Sequence, residues 1–353
     1  MPKTVVGLDI GTSSVRGVEI RIGKDRPVLV RIAQQEMAPG STREGEIVNP
    51  PAVGDAISRL WKSGKFKGKD AVVVGVANAK VVVRQVELQW MPEEELRNAL
   101  AFQIQEFIPI PLEEAIIDYM PVEEVHPAEG QRLLRILVVA AQKEMIQSLI
   151  ETLQYAKLQP AVIDLNALAL MRSLVSMYGL EEPPPAEALV DIGAGITNVV
   201  VHEQTKPRFV RIIAGGGDDF TAAISEQLGV DPISAEQIKR EIGASGSAPP
   251  GYDRAMDVIE EKTASFVDEI RGSLDFYMAQ PDAQPISRVV LSGGGSQLRT
   301  IPDRLRSALG IPVEQGHPLQ YVELADLGMH PEQLASIEPY LAVPVGLALS
   351  EAV

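Results

Sequence analysis

The sequence VVGLDIGTSSVRGVEI at residues 5–20 is the strongest indication of the fold. An apolar run leads into Asp9, a Gly-Thr-Ser-Ser turn follows, and a second strand-like run carries Arg16. A turn of this kind directs backbone N–H groups and hydroxyls toward one point, which suits a phosphate. By itself, the Asp-Ile-Gly sequence is equally typical of an ordinary tight hairpin, because short motifs are weak evidence.

A second copy of the pattern lies at residues 188–201, ALVDIGAGITNVVV, where Asp191 and its Ile-Gly repeat Asp9 and its Ile-Gly. Downstream, PVLVRI at residues 27–32 is matched by PRFVRI at residues 207–212. Two copies with matching flanks indicate a duplicated strand-turn-strand-turn-strand unit and two like lobes. We therefore predict a cleft that holds one polyphosphate, with both aspartates facing Mg²⁺, which prefers carboxylate, water and phosphate oxygens.

The composition narrows the function classes. The chain has 353 residues, 45% of them hydrophobic, which is enough for two sizeable lobes. A net charge of −16 argues against nucleic-acid binding through a broad basic face. The absence of cysteine excludes disulfides and thiolate metal sites and is simplest for a cytoplasmic protein. Because no apolar run approaches roughly 20 residues, we expect no direct insertion into a membrane.

The order of apolar and polar runs predicts an interrupted first lobe. Between the two Asp-Ile-Gly copies, a strand, a helix, two strands and a second helix read as an inserted subdomain, with Pro92 as the first residue of its first helix. The proline run at residues 182–185 reads as a spacer. The predicted units are a first lobe (1–80), the insertion (81–160), a connecting helix (161–186), a second lobe (187–335) and a C-terminal connecting helix (336–353).

Two further glycine-rich turns occur in the second half. AGGGDDF at residues 214–220 reads as a turn that opens a helix, whose first amides favour phosphate, although a flexible turn is equally compatible. SAEQIKREIGASG then predicts a helix with Ser234 as its N-cap and Gly243 as its end. VVLSGGGSQL at residues 289–298 predicts a strand and a third turn. The four histidines have no metal-ligand spacing and are predicted on the surface or in loops.

This set of motifs resembles the actin-like ATPase superfamily, which includes actin, DnaK-type chaperones, sugar kinases, MreB and FtsA. The resemblance implies an α/β, actin-like (ribonuclease H-like), duplicated two-lobed fold that binds ATP and Mg²⁺. It places Glu236 and Lys239 at the ribose and adenine, Asp9 and Asp191 at the metal, and Asp164 and Asn166 where relatives orient the attacking water. The nucleotide-binding positions are Gly11, Thr12, Ser13, Ser14, Arg16, Gly193, Gly195, Thr197, Asn198, Gly215, Gly216, Gly217, Glu236, Lys239, Gly293, Gly294, Gly295 and Gln297.

Within the superfamily, the insertion and its ALAFQIQEFIPIPLEEAIIDY sequence at residues 99–119 look most like the PilM family of type IV pilus assembly. That resemblance implies a cytoplasmic protein, peripheral to the inner membrane, that captures the N-terminal peptide of a PilN-type membrane protein and works with other pilus assembly proteins. An FtsA- or MreB-like filament protein, with self-association, and a small-molecule kinase are the alternatives.

Three narrower expectations follow. The helix of the insertion is apolar over nearly its whole circumference, so the partner peptide is expected there; its apolar residues are Leu96, Leu100, Phe102, Ile104 and Phe107. Burial of that helix on both sides is the alternative. Hydrolysis of ATP is expected to be slow or absent, because Asn166 is a poor base and the orientation of Asp164 is open. Lys239→Ala is expected to weaken ATP binding with little effect on the unliganded melting temperature.

Overall fold

The structure is a computed structural model that describes residues 3–24, 26–67, 69, 71–127, 130–175 and 186–350. The predicted proline spacer and the last three residues of the predicted C-terminal helix lie outside these ranges. The strands are β1 (Lys3–Ile10), β2 (Ser14–Ile22), β3 (Val28–Glu36), β4 (Thr42–Arg43), β5 (Glu46–Ile47), β6 (Val72–Val76), β7 (Val82–Gln89), β8 (Ala115–Val125), β9 (Leu133–Gln142), β10 (Pro160–Leu165), β11 (Ala186–Ile192), β12 (Ile196–Glu203), β13 (Lys206–Ala214), β14 (Ile286–Ser292), β15 (Val313–Gln315) and β16 (Glu323–Leu324). The helices are α1 (Pro50–Gly64), α2 (Glu93–Ile104), α3 (Lys143–Tyr155), α4 (Asn166–Leu174), α5 (Gly217–Leu228), α6 (Pro232–Ser245), α7 (Arg254–Met278), α8 (Thr300–Leu309), α9 (Pro331–Ile337) and α10 (Ala342–Ala348).

The two lobes are built on equivalent sheets. Lobe one has the order β10-β6-β1-β2-β3-β16 and lobe two has the order β13-β12-β11-β14-β15. In each, an antiparallel meander is joined at its first strand to two parallel strands, β6 and β10 or β14 and β15. The duplicated α/β fold predicted from the repeated Asp-Ile-Gly sequence is therefore confirmed. Strands β11 and β12 are buried along their whole length, which suits their Val- and Ile-rich sequences.

Two short helices, α4 and α10, cross between the lobes at backbone contact. A Cβ atom on Gly346 of α10 would lie 1.8 Å from the carbonyl oxygen of Ala169 in α4. A Cβ atom on Gly7 of β1 would lie 2.0 Å from the carbonyl oxygen of Pro344. Glycine is required at both positions because any side chain would push α10 away from α4 and from the central strand.

The insertion is a three-stranded sheet, β7-β9-β8, covered by α2. Its helix begins at Glu93 with Pro92 as the N-cap, one position later than predicted. Helix α3, which was assigned to the insertion, packs on α1 through Leu149 and Leu153 in the core of lobe one. The inserted sheet therefore ends at Gln142 instead of near residue 160.

Ion pairs connect the insertion to lobe two. Glu123 of β8 is bound by Arg208 and Lys206 of β13, the latter at 3.0 Å, and by Arg135 of β9 at 2.6 Å. The hydrogen bond from Arg208 and the Lys206 partner lower the pKa of Glu123 to about 2, against the opposing effect of burial. The insertion is thus connected to lobe one through the chain and contacts lobe two through ion pairs.

Two local predictions are wrong. Helix α6 begins one turn earlier than expected: Asp231 is its N-cap and accepts hydrogen bonds from the amides of Ile233 and Ser234, and the helix continues past Gly243 to a left-handed Gly246. His202 is buried within β12 instead of lying at the surface, with 2% of its area exposed. Among the described residues, no helix has the length and apolar character needed to cross a membrane.

Candidate nucleotide and metal site

Two buried carboxylates mark the centre of the site. Asp9 near the end of β1 and Asp191 near the end of β11 expose 7% and 9% of their areas. Burial raises the pKa of both carboxyls, that of Asp191 to about 6. The negative charge of Asp9 raises the pKa of Asp191 further, while Ser292, whose Oγ donates to Asp191 Oδ1 at 2.8 Å, lowers it. The duplication therefore brings both predicted metal ligands into one electrostatic site.

Each aspartate faces the residue seven positions later on the adjacent strand, Arg16 in lobe one and Asn198 in lobe two. Arg16 Nη1 donates to Asp9 Oδ2 at 3.3 Å. The neighbouring Asn198 amide lowers the pKa of the Asp191 carboxyl. Because one guanidinium compensates only one of the two carboxylates, the site keeps a negative charge that favours a cation.

The donor set fits Mg²⁺ bound together with a polyphosphate. Three buried polar atoms at the site have no hydrogen-bond partner among the described residues, namely Ser14 Oγ, Asn166 Oδ1 and Asn198 Oδ1. Across the part of the chain that the structure describes, no group of three or more His, Cys, Asp or Glu side chains is arranged to hold a metal. Two carboxylates, with waters and phosphate oxygens as the other ligands, are the arrangement that Mg²⁺ prefers over a complete protein cage.

The two predicted phosphate turns touch each other. In the first turn, the amide of Gly11 donates to the carbonyl of Ser14 at 3.1 Å, and the second turn closes in the same way. A Cβ atom on Gly195 would lie 2.8 Å from Thr12 Oγ1, so a larger residue there would have to displace the Thr12 side chain where the lobes meet. Thr42 Oγ1 of β4 donates to the carbonyl of Thr12 at 3.1 Å and so fixes the first turn. Ser13, in the same turn, is exposed.

The triple glycine, residues 215–217, has a different role from the one predicted. The amides of residues 215–218 all donate to protein acceptors, three of them to carbonyls of residues 193–195 and one to the carboxylate of Asp219. Thr197 Oγ1 donates to the carbonyl of Gly215 at 2.9 Å. These glycines seat the start of α5 against the second phosphate turn, and their amides are not directed at a ligand.

Glu236 and Lys239 form a closed network between α6 and α5. Lys239 Nζ lies 2.6 Å from Glu236 Oε2 and donates to the carbonyl of Gly217 and to Thr221 Oγ1, both at 2.8 Å. All three ammonium protons therefore have acceptors. Loss of the Lys239 side chain would remove these contacts between the two helices, so we expect Lys239→Ala to lower the melting temperature of the unliganded protein as well.

The third turn borders a cavity of about 520 Å³ between α6 and the segment before α10. This volume lies within the range of small-molecule sites, about 300–1,000 Å³. Gln297, a predicted nucleotide residue, lines it with Gly243, which lies two turns after Glu236 on α6. Arg299, His317 and Glu338 also line the cavity, with His317 Nδ1 3.5 Å from Glu338 Oε2. The position suits the base of a nucleotide whose phosphates lie at the two turns.

The glycines of this third turn face protein atoms. A Cβ atom on Gly295 would lie 2.2 Å from Ile192 Cγ2, and one on Gly294 would lie 2.7 Å from Cε1 of Tyr340. Gly293 has a left-handed φ of +80°. The turn therefore packs between β11 and the segment before α10, which brings that segment to the cleft.

The two candidate catalytic residues separate in the structure. Asp164 Oδ1 accepts from the amide of Leu165 at 2.7 Å and Oδ2 is bound by Arg172, whose Nε donates to the carbonyl of Gly346 at 2.8 Å. Asp164 thus belongs to the crossing of α4 and α10 and is not oriented as a base, which corrects its predicted catalytic role. Asn166 lies beside the candidate metal site, where its amide lowers the pKa of Asp9.

Sequence reasoning missed four side chains that shape the site. Ser292 binds Asp191, Thr42 fixes the first turn, Tyr340 contacts the third turn, and Arg299 lines the cavity. Only Ser292 had a local signal, as the residue directly before the third glycine turn. The others lie in connections whose approach to the cleft depends on how the lobes pack.

The sequence pattern of the family described as type IV pilus assembly protein PilM matches residues 7–352. The chain belongs to the PilM family. Among solved structures, a chain of a PilM-PilN type IV pilus biogenesis complex is 30% identical with a TM-score of 0.84, and the match covers 98% of this chain and 97% of that one. The resemblance inferred from the motifs and the insertion is thereby confirmed.

More distant relatives of this PilM-family chain share its fold. The cell division protein FtsA of Streptococcus pneumoniae serotype 2 is 24% identical over 357 residues, which cover 89% of this chain and 75% of that protein. MreB 5 of Spiroplasma citri, in a structure bound to AMPPNP, is 13% identical with a TM-score of 0.57 over 100% of this chain and 97% of that one. Both agree with the actin-like architecture.

The raised pKa of Asp191 predicts that Asp191→Asn stabilises the unliganded protein near neutral pH. The native carboxyl lowers the free energy of unfolding as the pH rises from 3.8, the ordinary pKa of the group, to about 6, its pKa in the folded protein. Above that range the cost is about 3 kcal/mol, and below it the cost disappears. Asparagine avoids the cost and still accepts from Ser292.

Urea unfolding without nucleotide at pH 4 and pH 7.5 measures this effect. The variant should gain stability over the native chain only at the higher pH. Asp55→Asn, on the exposed face of α1, is the matched control and should show no such difference. An equal effect of Asp191→Asn at both pH values would contradict the prediction.

Proposed function

We propose that this PilM-family chain is a cytoplasmic, nucleotide-controlled scaffold of type IV pilus assembly. It binds Mg²⁺ and ATP in the cleft and holds the N-terminal peptide of a PilN-type inner-membrane protein, which keeps it at the membrane. The observation that carries the proposal is a groove of about 550 Å³ between β8 of the insertion and α3 of lobe one. The similarity to the PilM-PilN complex supports the choice of partner.

The groove has the features of a short-peptide site. Ile116 of β8, 43% exposed, and Ile146 and Ile150 of α3 supply apolar surface. Lys143 and Glu151 are among the polar residues that also line it. The lining part of α3, residues 143–151, is about 12 Å long, the length of about four residues of extended peptide.

The backbone of β8 adds a second means of recognition. Among the described strands, β8 pairs only with β9, so it forms an edge of the three-stranded sheet. An edge strand offers unpaired N–H and C=O groups to an incoming extended peptide, while the apolar groove selects its side chains.

Helix α2, where the sequence analysis predicted that the peptide binds, has less exposed apolar surface than its sequence suggests. Leu96, Leu100 and Ile104 are buried in the core of the insertion, which leaves Phe102 at 80% and Phe107 at 42% exposure. Burial of one face accounts for Leu96, Leu100 and Ile104, whereas burial on both sides, the alternative considered for this helix, does not occur because Phe102 is exposed. The groove is the better site for a peptide.

Matched substitutions distinguish the two surfaces. Ile116→Glu places a charge in the groove and should weaken binding of a PilN-type N-terminal peptide at least about tenfold, as expected for a central interface anchor. Phe102→Glu changes an even more exposed apolar residue on α2 and should leave the affinity unchanged. Calorimetric titration of the full chain measures both. The reverse pattern would place the peptide on α2.

Contacts also support control of the groove by the nucleotide. The hairpin of β4 and β5 touches both sites: Thr42 binds the first phosphate turn, and the carbonyl of Ile47 accepts from Ser148 Oγ, a groove residue of α3, at 3.4 Å. In addition, one groove wall, β8, is paired by Glu123 to lobe two, whereas α3 packs in lobe one. Movement of the lobes would therefore change the groove.

Thr42→Val tests the hairpin. The substitution keeps the shape of the side chain and removes the hydroxyl that holds the phosphate turn. Peptide affinity without nucleotide should not change, whereas the factor by which Mg-ATP alters it, typically about 5- to 150-fold for coupled sites, should fall toward one. By linkage, the effect of the peptide on ATP affinity should fall equally.

Thr152→Val is the control for Thr42→Val. It removes a buried hydroxyl of α3 that donates within that helix, to the carbonyl of Ser148 at 2.8 Å. The control should retain the native coupling factor. A native factor in Thr42→Val as well would exclude the hairpin as the connection.

Slow hydrolysis is part of the proposal. Asp9 and Asp191 are assigned to the metal, Asp164 is bound by Arg172, and Asn166 offers a neutral amide that orients water without accepting its proton. Turnover below about 1 per second is therefore expected, slower than a typical enzyme. Phosphate release by the native chain measures it. Faster turnover that Asn166→Ala abolishes would show a working catalytic site.

A further inference from the structure

Tyr340 lies where lobe two approaches the metal site of lobe one. It ends the short 3-10 turn Glu338–Tyr340, which is separated from α10 by one residue, Leu341. The turn is fixed to lobe two because the amide of Gly293 donates to the carbonyl of Pro339 at 2.8 Å. The ring rests on Gly294, where a Cβ atom would lie 2.7 Å from its Cε1. Only glycine at that position leaves room for the ring.

From this position the ring reaches Arg16 of lobe one. The guanidinium carbon lies 5.3 Å from the ring centroid, within the range of about 6 Å for a cation–π contact. The same guanidinium donates to Asp9 Oδ2 and to Gln34 Oε1, each at 3.3 Å. Arg16 is thus held by an aromatic ring of the other side of the cleft and by two oxygens of its own lobe.

We infer that Tyr340 is a positioning residue for nucleotide binding, which acts by holding the Arg16 guanidinium beside Asp9 in the phosphate site. This inference rests on the proposed nucleotide function. A long arginine side chain loses rotamer freedom when a ligand fixes it. A ring that fixes it beforehand reduces that cost and so strengthens binding.

The same segment also contacts the base cavity. Glu338 and Pro339 line the cavity of about 520 Å³, while Tyr340, the next residue, contacts Arg16. A base in the cavity and phosphates at Arg16 would therefore act on two ends of one turn. This arrangement gives a three-residue connection between recognition of the base and placement of the phosphate-binding cation.

A double-mutant cycle tests whether Tyr340 acts through Arg16. The full chain is titrated with Mg-AMPPNP, which is not hydrolysed. Tyr340→Phe keeps the ring and should bind as the native chain does, whereas Tyr340→Met should bind about fivefold more weakly, as expected for loss of a cation–π contact. In an Arg16→Met background, Tyr340→Met should have no further effect.

Three results would overturn the inference: native affinity in Tyr340→Met, equal weakening by Tyr340→Phe, or additive effects with Arg16→Met. Tyr155→Met, on the exposed surface of α3, is the control and should bind like the native chain. Failure of the native chain to bind Mg-AMPPNP would instead overturn the proposed function and this inference together.

Nuclear magnetic resonance of the native chain tests the contact without any Tyr340 variant. The side-chain signals of Arg16, assigned from their loss in Arg16→Met, should be shifted upfield by the ring. Random-coil shifts for these signals would show that the ring does not hold the guanidinium and would overturn the inference even if Tyr340→Met failed to fold.

Discussion

Two like charges buried in one place constrain the rest of this structure. Asp9 and Asp191 lie at equivalent positions of the two central strands, and their burial and mutual repulsion favour protonation. Arg16, Ser292 and two asparagine amides oppose this only in part. A divalent cation relieves the remaining repulsion, and a ligand that binds only the folded chain stabilises it. The feature that costs stability in the unliganded protein would thus favour the proposed binding of Mg-nucleotide.

The lobes are joined by close backbone contacts. Helices α4 and α10 approach so tightly at Gly346 that a side chain cannot fit, and Arg172 joins Asp164 to the carbonyl of that glycine. A rotation of one lobe against the other would therefore have to change the contact between α4 and α10. The Asp164 carboxylate is paired with Arg172 and stabilises the crossing, so it is not available for chemistry in the cleft.

The insertion links the lobes in a way that the chain connection does not show. Its strands leave and re-enter lobe one, yet Glu123 is bound by two cations of β13 in lobe two. The partly buried pairs keep the inserted sheet beside lobe two, while α3, the helix that follows it, stays in lobe one. The proposed peptide groove lies between these two attachments, and this placement connects it physically to the relative position of the lobes.

From the sequence alone, the duplicated fold, the pair formed by Asp9 and Asp191 and the family could be predicted, because repeated local patterns of apolar strands and tight turns report directly on local structure. Only the tertiary structure decided where side chains from distant segments meet. In the folded protein, Asp164 pairs with Arg172, and the amides of residues 215–218 donate to protein acceptors. Lys239 donates to the carbonyl of Gly217. The tertiary structure also buried His202 and brought Tyr340 to Arg16. These outcomes depend on the packing of whole lobes, since a polar group takes whichever partner the fold brings within hydrogen-bond distance.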